Sequence, residues 1–279
     1  LQGNFFESAV VKISGMASEQ LAHFDDQVGI VLFFENEDEA NAGLLDVHVL
    51  DRLRGHPALT LDLLRALAAY NRQEGSVPLT TLQTSERDEL FDWMVAAGIL
   101  KVVVVISGQG PEAFGMPEMF TSMQHINANR ELRRLTALIS DGRYSGTSYG
   151  AAVGHVTPEA MNGGAIGLLE TGDLLHLQLT DRRIDLLDPQ AFAAGQIRQW
   201  DADLHTLRRD LGAARRRRIL ERRRQVAANN RMHDVTDASR GVVPKVVAEE
   251  ATQTYHLPES FQRPPRSPLS GRSPVPGRD

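Results

Sequence analysis

The order of apolar and polar residues along the chain alternates between strand-like and helix-like patterns. Leucines at helical spacing between residues 44 and 70, and a stretch at 88–97 that stops at Gly98, predict helices. Because the two patterns mix along the chain without an internal repeat, they predict an α/β fold. Short apolar and β-branched runs, each predicted to form a strand, lie at 9–13, 28–34, 100–106, 135–139, 165–169 and 174–179.

A further helical pattern, rich in arginine, occupies residues 189–229. Apolar side chains recur there at steps of three or four residues, which predicts helical structure. We interpret the arginines as the charged face of a solvated helix. Two alternatives stay open, namely contact with an acidic protein surface, such as the body of another subunit, and contact with nucleic acid. The arginines concerned are Arg208, Arg209, Arg215 to Arg218 and Arg222 to Arg224.

Charge divides the chain into an acidic body and a basic end. Residues 1–200 hold 14 Lys/Arg against 26 Asp/Glu, whereas residues 201–279 hold 16 against 10. An acidic body repels phosphate groups, so we do not expect the protein as a whole to bind nucleic acid. From residue 256 onward six of the 13 prolines stand among Ser, Gly and Arg, which predicts a disordered tail at 256–279.

Composition excludes several kinds of chemistry. The chain has no cysteine, which excludes disulfides, a thiolate nucleophile and a metal cluster held by its own cysteines. No apolar run is long enough to span a bilayer and no signal-peptide pattern is present, so we expect a cytoplasmic protein without membrane contact. The chain starts at Leu1 rather than Met, and we expect it to be a piece of a longer chain.

A glycine-rich segment at 108–119 follows the predicted strand 100–106 and carries a candidate metal ligand. Glu118 comes directly after Pro117, where a helix could begin. Its carboxylate would then lie at the carboxyl edge of the sheet, where α/β proteins bind ligands, and could bind Mg²⁺. The alternative is that Glu118 only complements the dipole of that helix.

A second polar segment, 140–150, follows the predicted strand 135–139. Arg143 could bind a carboxylate or phosphate through two parallel hydrogen bonds. Ser145 could be an exposed nucleophile or base, and as a base it would need a strong positive field nearby, such as that of a metal. The alternative is a polar turn whose hydroxyl groups cap the next helix.

A third segment, 154–164, contains one histidine and a pattern typical of a helix start. Thr157 followed by Pro158 predicts an N-cap with proline in the first turn. His155 is either an acid–base group or a structural residue.

These segments, together with the opening of the chain, occur in the order that one enzyme family shows. They resemble the C-terminal domain of the dihydroxy-acid and sugar-acid dehydratase family (the IlvD/Edd family, which includes phosphogluconate dehydratase). The resemblance covers about 1–45 and 98–190. It rests on Leu1-Gln2-Gly3-Asn4, Ala9-Val10-Val11-Lys12, Gly115-Met116-Pro117-Glu118-Met119, Asp141-Gly142-Arg143-Tyr144-Ser145-Gly146-Thr147 and Gly154-His155-Val156-Thr157-Pro158-Glu159-Ala160.

The resemblance implies a fold and a division of the chain. The fold is a swivelling β/β/α domain with a mixed-sheet barrel, which agrees with the α/β prediction. We expect this domain at 1–190, with a helical insertion at about 46–97 that is longer than the family's usual link. A basic helical extension at 191–255 and the tail at 256–279 would follow.

The resemblance also implies a reaction, the removal of water from a 2,3-dihydroxy acid to give a 2-keto-3-deoxy acid. In the family an iron–sulfur cluster, 2Fe-2S or 4Fe-4S, acts as Lewis acid on the departing C3 hydroxyl, and Mg²⁺ holds the substrate carboxylate and the C2 hydroxyl. Glu118 would be a Mg²⁺ ligand, Ser145 the alkoxide base that takes the C2 proton, and Thr147 a residue that orients the base or the substrate. A role for Arg143 in binding the substrate carboxylate is our own inference.

The resemblance further implies partners. The residues after Ser145 are more similar to the aldonate branch than to the branched-chain amino-acid branch. The cluster cysteines and the other metal ligands, including a carbamylated lysine, belong to an N-terminal domain of the family that this chain lacks. We therefore expect the chain to be inactive alone and to work within a homo-oligomer, a dimer or tetramer.

Two alternatives from other classes stay open. The first is a non-catalytic interaction module on a dehydratase-like fold. The second is a serine hydrolase around Ser145, although no His/Asp partner pattern supports it.

Overall fold

The computed structural model describes residues 1–11, 18–46, 48–72, 84–115, 117–145, 150–225 and 235–245. The predicted tail at 256–279 lies outside the described residues, and so does Thr147. None of the described helices is both long enough and apolar enough to cross a membrane.

Strands and helices alternate over the described residues. The strands are β1 (Ser8–Val11), β2 (Gln27–Phe34), β3 (Val102–Ile106), β4 (Glu118–Met119), β5 (Thr136–Ser140), β6 (Arg143–Tyr144), β7 (Ala152–Thr157), β8 (Leu174–Gln178) and β9 (Arg183–Leu187). The α-helices are α1 (Ser18–Phe24), α2 (Glu37–Leu45), α3 (Asp51–Arg54), α4 (Leu61–Asn71), α5 (Arg87–Ala97), α6 (Pro111–Phe114), α7 (Thr121–Ala128), α8 (Arg130–Leu135), α9 (Pro189–Ala193), α10 (Leu204–Leu207) and α11 (Arg209–Gln225). Short 3₁₀ helices occupy Ala160–Asn162, Ala165–Leu168 and Ala238–Arg240.

Seven of the described strands form one mixed sheet in the order β1-β7-β5-β3-β2-β8-β9. The four strands from β7 to β2 are parallel, and β1, β8 and β9 pair antiparallel with their neighbours. The first residues of the chain contact both outer strands. The N–H of Ile184 in β9 donates to the carbonyl of Gln2, and the N–H of Ala9 in β1 donates to the carbonyl of Leu1. Because one short segment reaches both edges, the sheet curls into a half-barrel.

Alternate side chains of the central strands face two separate cores. Ile30 and Leu32 of β2 pack in the core that contains helices α2, α4, α5 and α7. Val31 and Phe33 face the second core, which contains the N-terminal Phe5 and residues of the 3₁₀ helices. Since a strand buried on both faces reads as a continuous apolar run, the prediction of strands at 28–34 and 100–106 is confirmed. The predicted α/β class is confirmed as well.

Part of the predicted insertion belongs to the first core. Leu63, Leu64 and Leu67 of α4 are buried there, and α4 packs against α5 and α9. Helix α5 ends where it was predicted, at Gly98, which has the left-handed φ of 73°.

The predicted strand at 165–169 is wrong, because residues Ala165–Leu168 form a 3₁₀ helix. A short apolar run does not distinguish a strand from a buried helical turn by periodicity alone. Gly164 precedes this turn, and a Cβ at Gly164 would lie 1.7 Å from the carbonyl oxygen of Pro158. The turn therefore packs directly on the preceding segment.

The predicted helix start at Thr157 and Pro158 is also wrong. Thr157 is the last residue of β7, and its hydroxyl lies 2.8 Å from the hydroxyl of Ser8 in β1. Thr157, which the sequence pattern predicted to be an N-cap, therefore takes part in the pairing of β7 with β1. The following 3₁₀ helix begins at Ala160.

The helical pattern predicted at 189–229 corresponds to three separate helices, α9, α10 and α11. The segment between α9 and α10 instead pairs with β9, because the N–H of Trp200 donates to the carbonyl of Leu186. Leu187 and Gln199 form an isolated bridge beside it. Long-range pairing thus overrides the helical spacing of the apolar residues.

One side of the arginine-rich region binds the acidic body of the same chain. Arg208 donates two hydrogen bonds to Asp173, and Arg218 donates two to Glu35. Arg216, Arg217 and Arg224 are exposed. The interpretation as a solvated helix is therefore correct for one side of α11 only, and contact with another subunit or with nucleic acid stays a prediction.

Candidate functional site

Three polar segments leave the sheet at the same edge. The strands β3, β5 and β7 are parallel neighbours, so their carboxyl ends lie side by side. Residues 107–115 follow β3, residues 141–145 follow β5 and residues 158–160 follow β7. The motifs at 108–119, 140–150 and 154–164 are thus brought together, at the edge where parallel sheets bind ligands.

A two-stranded parallel sheet joins the first two of these segments. In it Glu118 of β4 pairs with Arg143 of β6, and Met119 pairs with Tyr144. The guanidinium of Arg143 donates from Nη2 to Oε1 of Glu118 over 2.6 Å. Two of the predicted site residues are therefore in direct contact, and their side chains are 36% (Arg143) and 45% (Glu118) exposed.

The predicted helix start at Glu118 is wrong. Glu118 lies in β4, and the next helix, α7, begins only at Thr121. Pairing with β6 keeps the backbone extended after Pro117, so the carboxylate does not lie at a helix terminus. The alternative role as a dipole partner of that helix therefore has no basis in the fold.

Ser145 follows directly after β6, two residues from Arg143. Its position at the sheet edge agrees with the prediction, but it is buried, with 8% of its surface exposed, rather than an exposed nucleophile. A hydroxyl in such a place is shielded from bulk water. Thr147, the remaining predicted site residue, lies outside the described residues.

A partly buried tyrosine, Tyr144, lies between Arg143 and Ser145 in the chain. Burial raises the pKa of the Tyr144 phenol well above its ordinary value, and the negative charges of Asp141 and Glu37 add to this effect. The phenol therefore stays protonated. Sequence reasoning attached no role to this residue, because its burial follows from the pairing of β4 with β6.

A completely buried carboxylate, Asp141, links the three segments. Its oxygens accept the backbone N–H groups of Gly108 (3.1 Å), Gln109 (2.9 Å) and Ala160 (2.9 Å). Burial raises the pKa of Asp141, although the three N–H donors act in the opposite direction. The sequence places Asp141 directly after an apolar strand, and that position was a signal we did not use.

A second completely buried carboxylate, Glu159, faces the first turn of α6. Its oxygens accept the N–H groups of Glu112 (3.1 Å) and Ala113 (3.0 Å). Burial, together with the negative charge of Asp141, raises the pKa of Glu159 to about 8. Glu159 is therefore mostly protonated at neutral pH, so that the pair carries less than its full formal charge.

His155 lies beside the site in an unusual backbone conformation. Its φ is 55°, and its N–H donates to the carbonyl of Gly142 over 2.9 Å. Burial lowers the pKa of the imidazole, and the charge of Arg143 lowers it further, so the ring is neutral at pH 7. The choice between an acid–base and a structural role stays open.

The described residues offer a single metal ligand at this edge rather than a complete metal site. In the described part of the chain no group of three or more His, Cys, Asp or Glu side chains is arranged to hold a metal ion. Glu118 fits the role of one contributed oxygen ligand, because its carboxylate is half exposed. The lack of cysteine in the sequence means that the chain's own residues do not fit an iron–sulfur cluster.

A cavity of about 490 Å³ lies apart from the predicted site residues. Phe6, Pro158, Trp200 and His205 are among its lining residues, and Glu118, Arg143 and Ser145 are not. Volume alone therefore does not identify the candidate site, which rests on the convergence of the three segments.

Comparison with known proteins identifies the family. The profile of a family described as dihydroxy-acid/6-phosphogluconate dehydratase C-terminal matches residues 71–242, which is more than half of the chain. A curated relative, the chloroplastic dihydroxy-acid dehydratase of Arabidopsis thaliana, is 40% identical over 108 residues. The aligned part covers 38% of this chain and 18% of that relative. The chain therefore belongs to the dihydroxy-acid/6-phosphogluconate dehydratase C-terminal family.

Proposed function

We propose that this chain is the C-terminal domain of a hydro-lyase that converts a 2,3-dihydroxy acid into a 2-keto-3-deoxy acid. The substrate class is a sugar acid (an aldonate) or another dihydroxy acid. The observation that carries the proposal is the direct contact of Glu118 with Arg143 at the sheet edge where Ser145 lies. Membership of the dehydratase family supports it.

Dehydration of a dihydroxy acid needs a base for the C2 proton and a route for the C3 hydroxyl to leave as water. We assign the base to the Oγ of Ser145, which is buried and lies two residues after Arg143 in the chain. A serine hydroxyl has a very high pKa, so the base needs positive charge close to it. When bound, Mg²⁺ supplies such charge and also makes the C2 proton more acidic.

Glu118 and Arg143 have complementary roles in this proposal. Glu118 would provide one oxygen ligand of the Mg²⁺ site. Arg143 would bind the substrate carboxylate, and its buried Nε has no hydrogen-bond partner among the described residues. Removal of either side chain would leave the other charge without its present partner.

The remaining parts of the proposal concern groups outside the described residues. An iron–sulfur cluster would have to be held by an N-terminal domain, since this chain has no cysteine. Thr147 would orient the base or the substrate. We further propose a homo-oligomer, a cytoplasmic location, and no activity of this chain alone.

Co-expression with the N-terminal cluster-binding domain tests the proposal. The complex is reconstituted with iron, sulfide and Mg²⁺, and keto-acid formation is measured with a panel of aldonates and other dihydroxy acids. We expect turnover with at least one acid, and we expect Ser145→Ala to lower kcat by about 10²–10⁴-fold, because a base in the transition state is lost. Ser85→Ala, at an exposed serine, is the matched control and keeps full activity.

A reconstituted complex that carries its cluster but turns over none of these acids would contradict the proposal. The alternative, a non-catalytic interaction module, would then be favoured. One observation supports that alternative, namely the exposed arginines Arg216, Arg217 and Arg224 of α11, which the fold leaves available for an acidic partner.

A further inference from the structure

We infer that Asp141 and Glu159 are a pair of positioning residues that hold the three segments of the candidate site at fixed distances from one another. The inference rests on the proposed function, because it makes the pair responsible for the placement of Glu118 and Ser145. Both carboxyl groups are completely buried, and neither forms an ion pair within the part of the chain that the structure describes.

Asp141 contacts the segments that follow three neighbouring strands. It lies directly after β5, and it accepts the N–H groups of Gly108 and Gln109 after β3 and that of Ala160 after β7. Buried backbone N–H groups need hydrogen-bond acceptors, and here one carboxylate is the acceptor of three such groups. A shift of any one segment would therefore leave a buried donor without an acceptor.

Glu159 fixes the short helix α6, which carries the chain toward β4 and Glu118. The first N–H groups of a helix have no partner within the helix. Those of Glu112 and Ala113 donate to the two oxygens of Glu159. The orientation of α6 is thus set from the segment after β7.

Two glycines show how closely the segments pack around the pair. A Cβ at Gly110 would lie 2.3 Å from Oε2 of Glu159, and a Cβ at Gly142 would lie 2.9 Å from the carbonyl oxygen of Gln109. The segments therefore touch without room for a methyl group. Direct packing and hydrogen bonds therefore determine the distances between the three segments.

This spacing determines where the proposed site residues lie. Asp141 precedes Arg143 by two residues and Ser145 by four, and α6 precedes Glu118 by a few residues. A misplacement of about 1 Å can lower a rate by about 10²-fold even when no reacting group is changed. The pair therefore contributes to the reaction through the residues it positions, without touching the substrate.

The substitution Asp141→Asn is the direct test. The asparagine amide keeps the size of the side chain but offers one oxygen and one NH₂ group to three N–H donors. At least one donor then faces another donor. Glu159→Gln is a second test, because its NH₂ group would face one of the N–H groups of Glu112 and Ala113.

Asp185 provides the matched control. Asp185 lies in β9, the edge strand on the opposite side of the sheet from β1. It is buried, with 3% of its surface exposed, and its carboxylate accepts the N–H of Asn4. Asp185→Asn therefore removes a buried carboxylate without touching the three segments. It separates a general loss of stability from a local loss of position.

Hydrogen–deuterium exchange of the full chain at pH 7 is the first readout. We expect Asp141→Asn to raise exchange by about tenfold or more at one or more of Gly108, Gln109 and Ala160, because at least one of these buried N–H groups loses its acceptor. Asp185→Asn leaves these amides at the wild-type rate. If both variants give equal exchange at the three amides, the inference is overturned.

Gly142→Ala keeps the inference testable if Asp141→Asn does not fold. The added methyl separates the segments after β3 and β5 while both buried carboxyl groups remain. We expect the same selective exchange as for Asp141→Asn. Wild-type exchange in Gly142→Ala would contradict the inference.

Kinetics of the reconstituted complex are the second readout. We expect Asp141→Asn and Gly142→Ala to lower kcat by about 10²-fold with a much smaller change of KM, since misplacement affects the transition state most. Absence of turnover in the wild-type complex overturns the proposed function. Unselective exchange in the variants overturns the positioning role, so the two failures are distinguishable.

Discussion

At the scale of single residues, burial moves several ionisable groups away from their ordinary pKa values. Lys101 is buried, with its Nζ 2.7 Å from Nε2 of His23 and 2.9 Å from the carbonyl of Gly98. Burial, together with the charge of Arg134, lowers the pKa of Lys101 to about 7. Glu159 shows the opposite shift, to about 8, because burial penalises its negative form.

Because of its lowered pKa, Lys101 makes the free energy of unfolding depend on pH. An unfolded lysine has a pKa near 10.4, so between pH 7 and 10 the unfolded chain binds more protons than the folded chain. The contribution of Lys101 to the free energy of unfolding therefore rises with pH in this window. We expect Lys101→Met to remove a rise of about 2–3 kcal/mol between pH 7 and 9.5, measured by urea denaturation.

Lys245→Met is the control for this measurement. Lys245 lies 2.9 Å from the Glu112 carboxylate and is about one-third exposed. Its variant is expected to keep the wild-type rise. Parallel pH profiles of wild type and Lys101→Met would show that the lysine is not the source of the dependence.

At the scale of elements, α11 is held by arginines rather than by a broad apolar face. Arg215 donates to the carbonyls of Gly167 (2.9 Å) and Leu169 (2.7 Å), and its guanidinium lies 3.8 Å from the ring centre of Phe33. Ile219 is the buried apolar residue of the helix. The docking of α11 therefore depends on a few buried polar contacts.

We expect Arg215→Met to destabilise the chain by about 2–4 kcal/mol, because two buried carbonyls lose their donor and Glu35 loses one of its cationic partners. Chemical denaturation measures the loss, and limited proteolysis within α11 reports its release. Arg216→Met, next to it on the exposed side, is expected to change stability by no more than about 0.5 kcal/mol. Equal losses in the two variants would show that α11 does not dock through Arg215.

The elements that the sequence predicted correctly are those whose pattern is local. The central strands β2 and β3 are continuous apolar runs, and Gly98 ends α5 by its own conformational freedom. The turn at 165–168 and the break after α9 were missed because distant contacts decide them, a close approach to Pro158 and a pairing with β9.

The same distinction applies to the candidate site. Glu118 and Arg143 were predicted from residue type and motif, and the structure brings them into contact. The roles of Asp141 and Glu159 were not predicted, since complete burial and the N–H groups around them arise only when three parallel strands end together. A sequence motif shows which side chains are present, but not which of them the fold withdraws from water.

At the scale of the whole molecule, the acidic body and the basic helix compensate each other within one chain. Arginines of the region 208–218 form ion pairs with three acidic residues of the body, Glu35, Glu170 and Asp173. Part of the positive charge that the sequence analysis considered available to a partner is therefore neutralised by ion pairs within the chain. The exposed arginines of α11 remain the part of this charge that faces solvent.

The start of the chain has a consequence for solubility. Gly3 packs so closely on β9 that a Cβ there would lie 1.9 Å from the carbonyl oxygen of Ile184. We expect Gly3→Val to lift this segment from the sheet and to cause self-association, measured by light scattering and by thioflavin T fluorescence. Gly55→Ala, where a Cβ would meet nothing closer than 3.5 Å, is expected to stay monodisperse under the same conditions.

The reason is that an outer strand with free backbone groups can recruit a strand from another molecule. In this protein the first residues hydrogen-bond to both edge strands, β1 and β9. A single bulky substitution there would therefore expose the backbone groups of both edge strands at once. Protection against fibril-like growth is therefore concentrated in the first few residues, which are not among the residues of the candidate site.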